Sequence, residues 1–179
     1  MMETIEVLIK EEEVAKRIKD IGDQITREYE GSEVHLICIL KGGVFFLCEL
    51  AKHIKLPVTI DFMTVSSYGN ETTSSGIVKV KQDLTQSIEN KQVIIVEDII
   101  DTGITLSSLM PMLKERKPAS LKLCALLDKP ERRRKEVKID YLGFQIPDRF
   151  VVGYGLDYEQ KYRNLPYIGV VVPEANENH

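Results

Sequence analysis

Apolar positions along this chain follow two alternating rhythms. Nearly continuous apolar runs, Val34 to Leu40, VTIDFM from Val58, VIIV from Val93, LKLCALL from Leu121 and IGVVV from Ile168, have the length and β-branched content of buried strands. Residues 3 to 9 alternate enough to be another. Between the runs lie helical stripes. Val14, Ile18, Ile21 and Ile25 share one face behind Glu11, Glu12 and Glu13, which suit a helix N-terminus, and Gly31 stops this helix. Val44, Leu47, Cys48 and Ala51 mark a second stripe after the Lys41-Gly42-Gly43 turn, and Leu106, Leu109, Met110 and Leu113 a third. Pro111 sits inside that third helix, where it removes an intrahelical bond at about 3 kcal/mol and predicts a kink. Strands and helices in alternation predict an α/β fold, a central, mainly parallel sheet flanked by helices. Ligands bind such sheets at the carboxyl ends of the strands, where Lys41, Glu97, Asp101 and Lys129 fall.

The stretch VIIVEDIIDTGITL, Val93 to Leu106, is the most informative. It reads as a buried strand ending in two adjacent carboxylates, Glu97 and Asp98, with Asp101 three residues on. The turn Thr102-Gly103-Ile104-Thr105 then opens a helix. Free backbone N–H groups and the positive end of the dipole make that helix start an anion site. Thr102 and Thr105 add hydroxyl donors, and Gly103 lets the backbone approach a ligand closely. Three acids beside a phosphate cradle would repel the phosphate unless something neutral or cationic lies between. Sugar hydroxyls and a hard divalent metal fill that role, so a ribose 5-phosphate carrying magnesium suits both halves.

With 179 residues, 43% of them hydrophobic, the chain is long enough for one domain with a proper core. A net charge of −4 argues against nucleic-acid or membrane-surface binding as the main task. The apolar runs are strand-sized rather than bilayer-sized, and the acidic start METIEVLIKEEE lacks the features of a signal peptide. Cys38, Cys48 and Cys124 lie in apolar stretches without metal-ligand spacing, which predicts reduced core cysteines in a cytoplasmic protein. The run Arg132-Arg133-Arg134-Lys135, bracketed by Glu131 and Glu136, reads as a solvated loop rather than a nucleic-acid patch. Residues 66 to 75, SSYGNETTSS, suit either a mobile flap or an idle hairpin tip.

EDIIDTG resembles the phosphoribosyl-pyrophosphate motif of type I phosphoribosyltransferases, in the version found in bacterial hypoxanthine-guanine members. The resemblance runs from Val34 to Val172, with motifs in family order and at family spacing. It implies the type I fold as a single domain over residues 1–179, with a core at about 30–140 and a small hood from the terminal segments 1–10 and 141–172. It implies transfer of the 5-phosphoribosyl group from phosphoribosyl pyrophosphate to hypoxanthine or guanine, giving IMP or GMP and pyrophosphate, with Mg2+ as cofactor and a homodimer or homotetramer as assembly. Leu40-Lys41-Gly42 is similar to the family's pyrophosphate turn, in which the Leu–Lys peptide can be cis, and Arg163 to its pyrophosphate-binding arginine. Glu97 and Asp98 take the ribose hydroxyls and metal, Thr102 to Thr105 the 5-phosphate, and Asp101 the place of the general base.

Lys129 resembles the donor to the exocyclic oxygen of a 6-oxopurine, Phe150 the aromatic that stacks on the base, and Val151 the backbone at the base edge. Asp157 resembles the acid that meets the base and a second magnesium. Ser67-Tyr68 resembles the pair in the family's flexible loop, so the resemblance favours the flap reading. Two positions depart: Ile104 replaces a lysine of some members, and Gln82 a lysine expected in bacterial relatives. Neither removes a proposed catalytic group, although Ile104 removes one phosphate-side cation. Sister enzymes for adenine, orotate or uracil are the nearest alternatives, and Lys129 with FVVGYGLD favours 6-oxopurines. A regulatory nucleotide- and nucleic-acid-binding relative is a further one, disfavoured by Asp101, Lys129, Arg163 and the acidic balance.

Overall fold

The computed structural model describes residues 4–67 and 78–172; Tyr68 and most of the predicted flap lie outside the described residues. Strand β1 (Thr4–Ile9) leads into helix α1 (Glu11–Glu28), followed by β2 (Val34–Ile39), α2 (Val44–His53), β3 (Val58–Ser67) and β4 (Val78–Gln82). Then come β5 (Gln92–Ile100), α3 (Ile104–Lys114), β6 (Ser120–Asp128), β7 (Tyr141–Gln145), β8 (Val151–Val152) and β9 (Ile168–Val172). Six strands form a sheet in the order β4-β3-β2-β5-β6-β7, parallel except where β4 turns back against β3. The chain leaves the neighbouring strands β2 and β5 in opposite directions, through α2 to β3 and through α3 to β6. A crevice opens where those connections diverge, at the carboxyl ends of the two strands.

Side-chain alternation divides the core into two layers. Leu36, Cys38, Ile94, Val96 and Leu126 pack with α1 and α2, while Ile37, Ile39, Val93, Ile95 and Leu123 pack with Leu106, Leu109 and Leu113 of α3. Helix α1 buries Val14, Ile18, Ile21 and Ile25, the predicted stripe, and its Glu13 carboxylate accepts the Lys10 backbone N–H at 3.1 Å. Arg17 donates to the Leu142 and Gly143 carbonyls at 3.1 and 3.2 Å, so α1 covers otherwise unpaired groups of edge strand β7.

Four expectations shift. Helix α2 buries Phe46, Leu47 and Leu50 rather than Val44 and Cys48, and Cys48 is exposed while Cys38 and Cys124 are buried. The predicted stripe was one position out of phase, because four successive apolar residues from Val44 to Leu47 admit either phase. IGVVV does not enter the parallel sheet. As β9 it pairs antiparallel with β1 and β8 in a separate three-stranded sheet. Tyr141–Gln145, placed with the hood by the resemblance, instead forms β7 at the edge of the large sheet. Strand β5 does not end at the paired acids but runs on to Ile100. Helix α3 continues through Pro111 to Lys114. No described helix is long and apolar enough to cross a membrane.

Candidate active site

At the end of β2 the Leu40–Lys41 peptide is cis, and Gly42-Gly43 leads directly into α2. Gly42 is wedged between two neighbours. A β-carbon there would run into the Asp98 carboxylate, and one on Gly155, at φ +100°, would run into the Gly42 carbonyl. The turn after β2, the acids of β5 and the segment between β8 and β9 are thus packed backbone to side chain, with room only for glycine.

Glu97 and Asp98 are half-buried near the end of β5, at the wall of the crevice. Burial, then the neighbouring Asp98 charge, pushes the Glu97 carboxyl well above the usual carboxylate range. Burial also raises Asp98, although its Oδ1 accepts the Ile99 N–H at 2.9 Å. Glu97 Oε2 has no hydrogen-bond partner, and neither does the shielded Oδ1 of Asp101. Buried oxygens in this state call for a donor or a cation. The same surroundings push the Cys38 thiol up to about 12, chiefly by burial, so it is no thiolate nucleophile.

Beyond Ile100 the chain turns through Asp101 and Thr102 to Gly103, whose left-handed φ of +76° caps α3. Thr102, Gly103 and Thr105 line a cavity of about 540 Å³ with Lys41, Gly42, Glu97, Asp98, Asp101, Asp157 and Arg163. Ile104 begins α3 outside that lining, its N–H 3.4 Å from Thr102 Oγ1. Two cations, Lys41 and Arg163, share this lining with four acids. Arg163 pairs with Asp157 at 2.7 Å and donates to the Gly155 carbonyl at 2.6 Å. Gln160 Oε1 lies 3.2 Å from Lys41 Nζ and 3.3 Å from an Arg163 nitrogen, bridging the two.

Of the predicted purine-side residues, Asp157 lines this cavity, whereas Lys129, Phe150 and Val151 lie outside its lining. Lys129, 6% exposed, places Nζ 3.6 Å from Asp101 Oδ1 and 3.9 Å from Asp148. Phe150 is 55% exposed and meets Tyr158 edge-on, with ring centroids 5.5 Å apart. Val151 is buried in β8, opposite Val170. Ser67 ends β3, and Ser66 beside it reaches the cavity.

Sequence reasoning missed Gln160 and misjudged Arg133. Arg133 is not solvated: it pairs with Asp128, donates to the Asp101 carbonyl at 3.2 Å and leaves only 12% of its side chain exposed. Asp128 at a strand end, five residues before an arginine, was the available signal.

A sequence profile of the phosphoribosyl transferase domain matches residues 6–159. The chain belongs to the phosphoribosyltransferase family. Within that family it is 51% identical over 172 residues to the hypoxanthine-guanine phosphoribosyltransferase of Bacillus subtilis, covering 96% of each chain. It is equally 51% identical to the hypoxanthine phosphoribosyltransferase of Buchnera aphidicola, over 96% of this chain and 98% of the relative. A crystal structure of a Bacillus anthracis hypoxanthine-guanine phosphoribosyltransferase superposes with a TM-score of 0.91 at 49% identity, covering 96% of this phosphoribosyltransferase and all of that chain. A hypoxanthine phosphoribosyltransferase from Staphylococcus aureus gives 0.91 and 49% over 97% and 94%.

Proposed function

We propose that this phosphoribosyltransferase is a purine salvage enzyme, transferring the 5-phosphoribosyl group of phosphoribosyl pyrophosphate to hypoxanthine and guanine. The observation that carries this reading is a pair of half-buried acids near the N-terminus of α3, lining one cavity with Lys41 and Arg163. A purine ring nitrogen bonds to the anomeric carbon as its bond to pyrophosphate breaks. The N–H groups at the start of α3, with the Thr102 and Thr105 hydroxyls, hold the 5-phosphate and fix the sugar. Lys41, the Gly42 backbone and Arg163 receive the charge of the departing pyrophosphate. Asp101 accepts the proton that the imidazole-ring nitrogen gives up, and Lys129 beside it meets the exocyclic oxygen of the base. Phe150, with more than half of its surface exposed, stacks on the purine, with Val151 at its edge.

Glu97, Asp98 and Asp157 fit magnesium by their chemistry: Glu97 keeps a buried oxygen without a partner, and hard carboxylates suit that ion. No group of three or more His, Cys, Asp or Glu among the described residues could hold a metal by itself. That suits an ion held by one or two carboxylates plus substrate oxygens. When bound, it neutralises charge on the diphosphate. The hood, from β1, β8, β9 and the segment before β9, together with the core makes a single functional domain. We place the protein in the cytoplasm, as a homodimer or homotetramer without nucleic-acid or membrane partners, supported by the free buried thiols of Cys38 and Cys124 and by the acidic balance.

The test mixes purified protein with phosphoribosyl pyrophosphate, magnesium and each of hypoxanthine, guanine, xanthine and adenine, and follows nucleotide formation. Turnover of 6-oxopurines and not adenine is expected, and loss of it with a chelator. Use of adenine alone, or of no base, overturns the reading. Asp101→Asn is expected to cut kcat by about 100-fold while the KM for phosphoribosyl pyrophosphate changes little. Equal damage to both would remove the base role.

A further inference from the structure

Arg133 stands behind the Asp101–Gly103 turn, outside the lining of the cavity that the turn faces. One guanidinium nitrogen donates to the Asp101 carbonyl at 3.2 Å, and the other pairs with Asp128. The backbone N–H groups of Arg134 and Lys135 both donate to the next carbonyl, that of Thr102, at 2.9 and 3.0 Å. Gly103 then packs so closely on Lys135 that a β-carbon would collide with its carbonyl oxygen. Two successive carbonyls of the turn are therefore pulled the same way by one short segment.

In a trans peptide the N–H points opposite to the C=O of the same plane. Leu40–Lys41 is the only cis bond among the described residues, so the peptides joining Asp101, Thr102 and Gly103 are trans. Drawing the Asp101 and Thr102 carbonyls back toward residues 133–135 turns the N–H groups of Thr102 and Gly103 forward. Both residues line the cavity. Successive N–H groups aimed one way form an anion nest.

We infer that Arg133 is a positioning residue for the phosphoribosyl group: by anchoring the Asp101 carbonyl it aims the turn's N–H groups at the 5-phosphate. The inference rests on the function proposed above. Arginine suits the task because its planar fork serves a carboxylate and a carbonyl together, whereas a lysine offers a single charged nitrogen. The competing role is a structural ion pair with Asp128, whose side chain is 7% exposed.

Three proteins separate the roles: wild type, Arg133→Lys, and the paired change Arg133→Met with Asp128→Asn, which leaves no buried charge unpaired. Steady-state kinetics, thermal unfolding and amide exchange of residues 102–105 are measured on each. Both variants are expected to raise the KM for phosphoribosyl pyrophosphate about tenfold, change that for hypoxanthine less than about twofold, and speed exchange at Thr102 and Gly103. Wild-type KM in Arg133→Lys overturns the inference. So does wild-type KM in the paired change, since an ion pair rather than the carbonyl anchor would then account for any loss in Arg133→Lys. Should wild type form no nucleotide from any base, the proposed function fails and exchange alone decides: faster exchange in Arg133→Lys upholds the anchor, unchanged exchange removes it.

Discussion

Glu97 is a carboxyl group set where a charge is hard to keep, half-buried beside the acid that follows it. Such a pair tolerates ligand-free burial only by holding a proton or a cation, and the site stores the cost as lost stability. Glu97→Gln is expected to raise the unfolding midpoint by roughly 2–4 °C, about 1 kcal/mol, while turnover falls by at least about 100-fold. Calorimetry with the nucleotide-forming assay reads both, and a variant less stable than wild type would show that the native carboxyl already has its partner. At this scale the sequence announces a residue when its chemistry contradicts its surroundings. Glu97, Asp98 and Asp101 are acids closing an apolar run, and Lys41, Lys129 and Arg163 stand in short motifs. Arg133 announces itself only through the acid five residues before it, and Gln160 not at all, because each acts on groups brought from elsewhere in the chain: the Asp101 carbonyl for one, Lys41 and Arg163 for the other. Gly42 reads as an ordinary turn glycine until the Asp98 carboxylate is seen against it.

Among elements, the strands were easier to read than the phase of the helices. Helix α1 has one apolar stripe and was read correctly, whereas α2 is apolar on too many sides to reveal which one faces inward. Strand β2 is buried along all six residues, and within it lies a histidine no apolar pattern explains. His35 Nδ1 sits 2.8 Å from Thr59 Oγ1 on β3, in direct register, and burial, aided by Lys91, holds its pKa below the ordinary 6.5. The unfolded chain therefore takes up a proton first. Stability from neutral His35 is complete above that ordinary value and drains away as pH falls through the lower folded value. The unfolding midpoint should accordingly drop between about pH 7.5 and pH 5.5, and His35→Asn should flatten that drop whatever its effect on absolute stability. An identical slope in the variant would assign the drop to other groups. Asp61 does not confuse the measurement. Burial pushes its carboxyl up, but the amides of Phe62, Thr85 and Gln86 outweigh that and hold it below 3.8, so its contribution is lost only in stronger acid.

In the whole molecule, no single segment holds the site. Lys41 leaves β2, Glu97 and Asp98 lie within the last residues of β5, Lys129 follows β6, and Arg163 comes from the chain between β8 and β9. Alternating apolar runs reveal that a parallel sheet exists, and the crevice follows from its chemistry-bearing strand ends. They do not reveal strand order, nor that β9 leaves the sheet to join β1, because β2 meets β5 across an intervening strand pair and β1 meets β9 from the other end of the chain. Bringing acids, cations and a phosphate cradle together has a further consequence. On the proposed function, phosphoribosyl pyrophosphate alone would present its diphosphate to the β5 carboxylates and be repelled, and magnesium alone would meet no group of three or more protein ligands among the described residues. Together each supplies what the other lacks. A ligand present at a hundredfold over its dissociation constant stabilises the native state by about 2.7 kcal/mol, roughly 5–10 °C for a chain of this size. Phosphoribosyl pyrophosphate with magnesium is therefore expected to raise the unfolding midpoint by that order, well beyond the sum of the two separate shifts, with a chelator returning it to the ligand-free value. If the separate shifts simply add, the acids at the end of β5 do not share an ion with the substrate, and their burial must serve the fold instead.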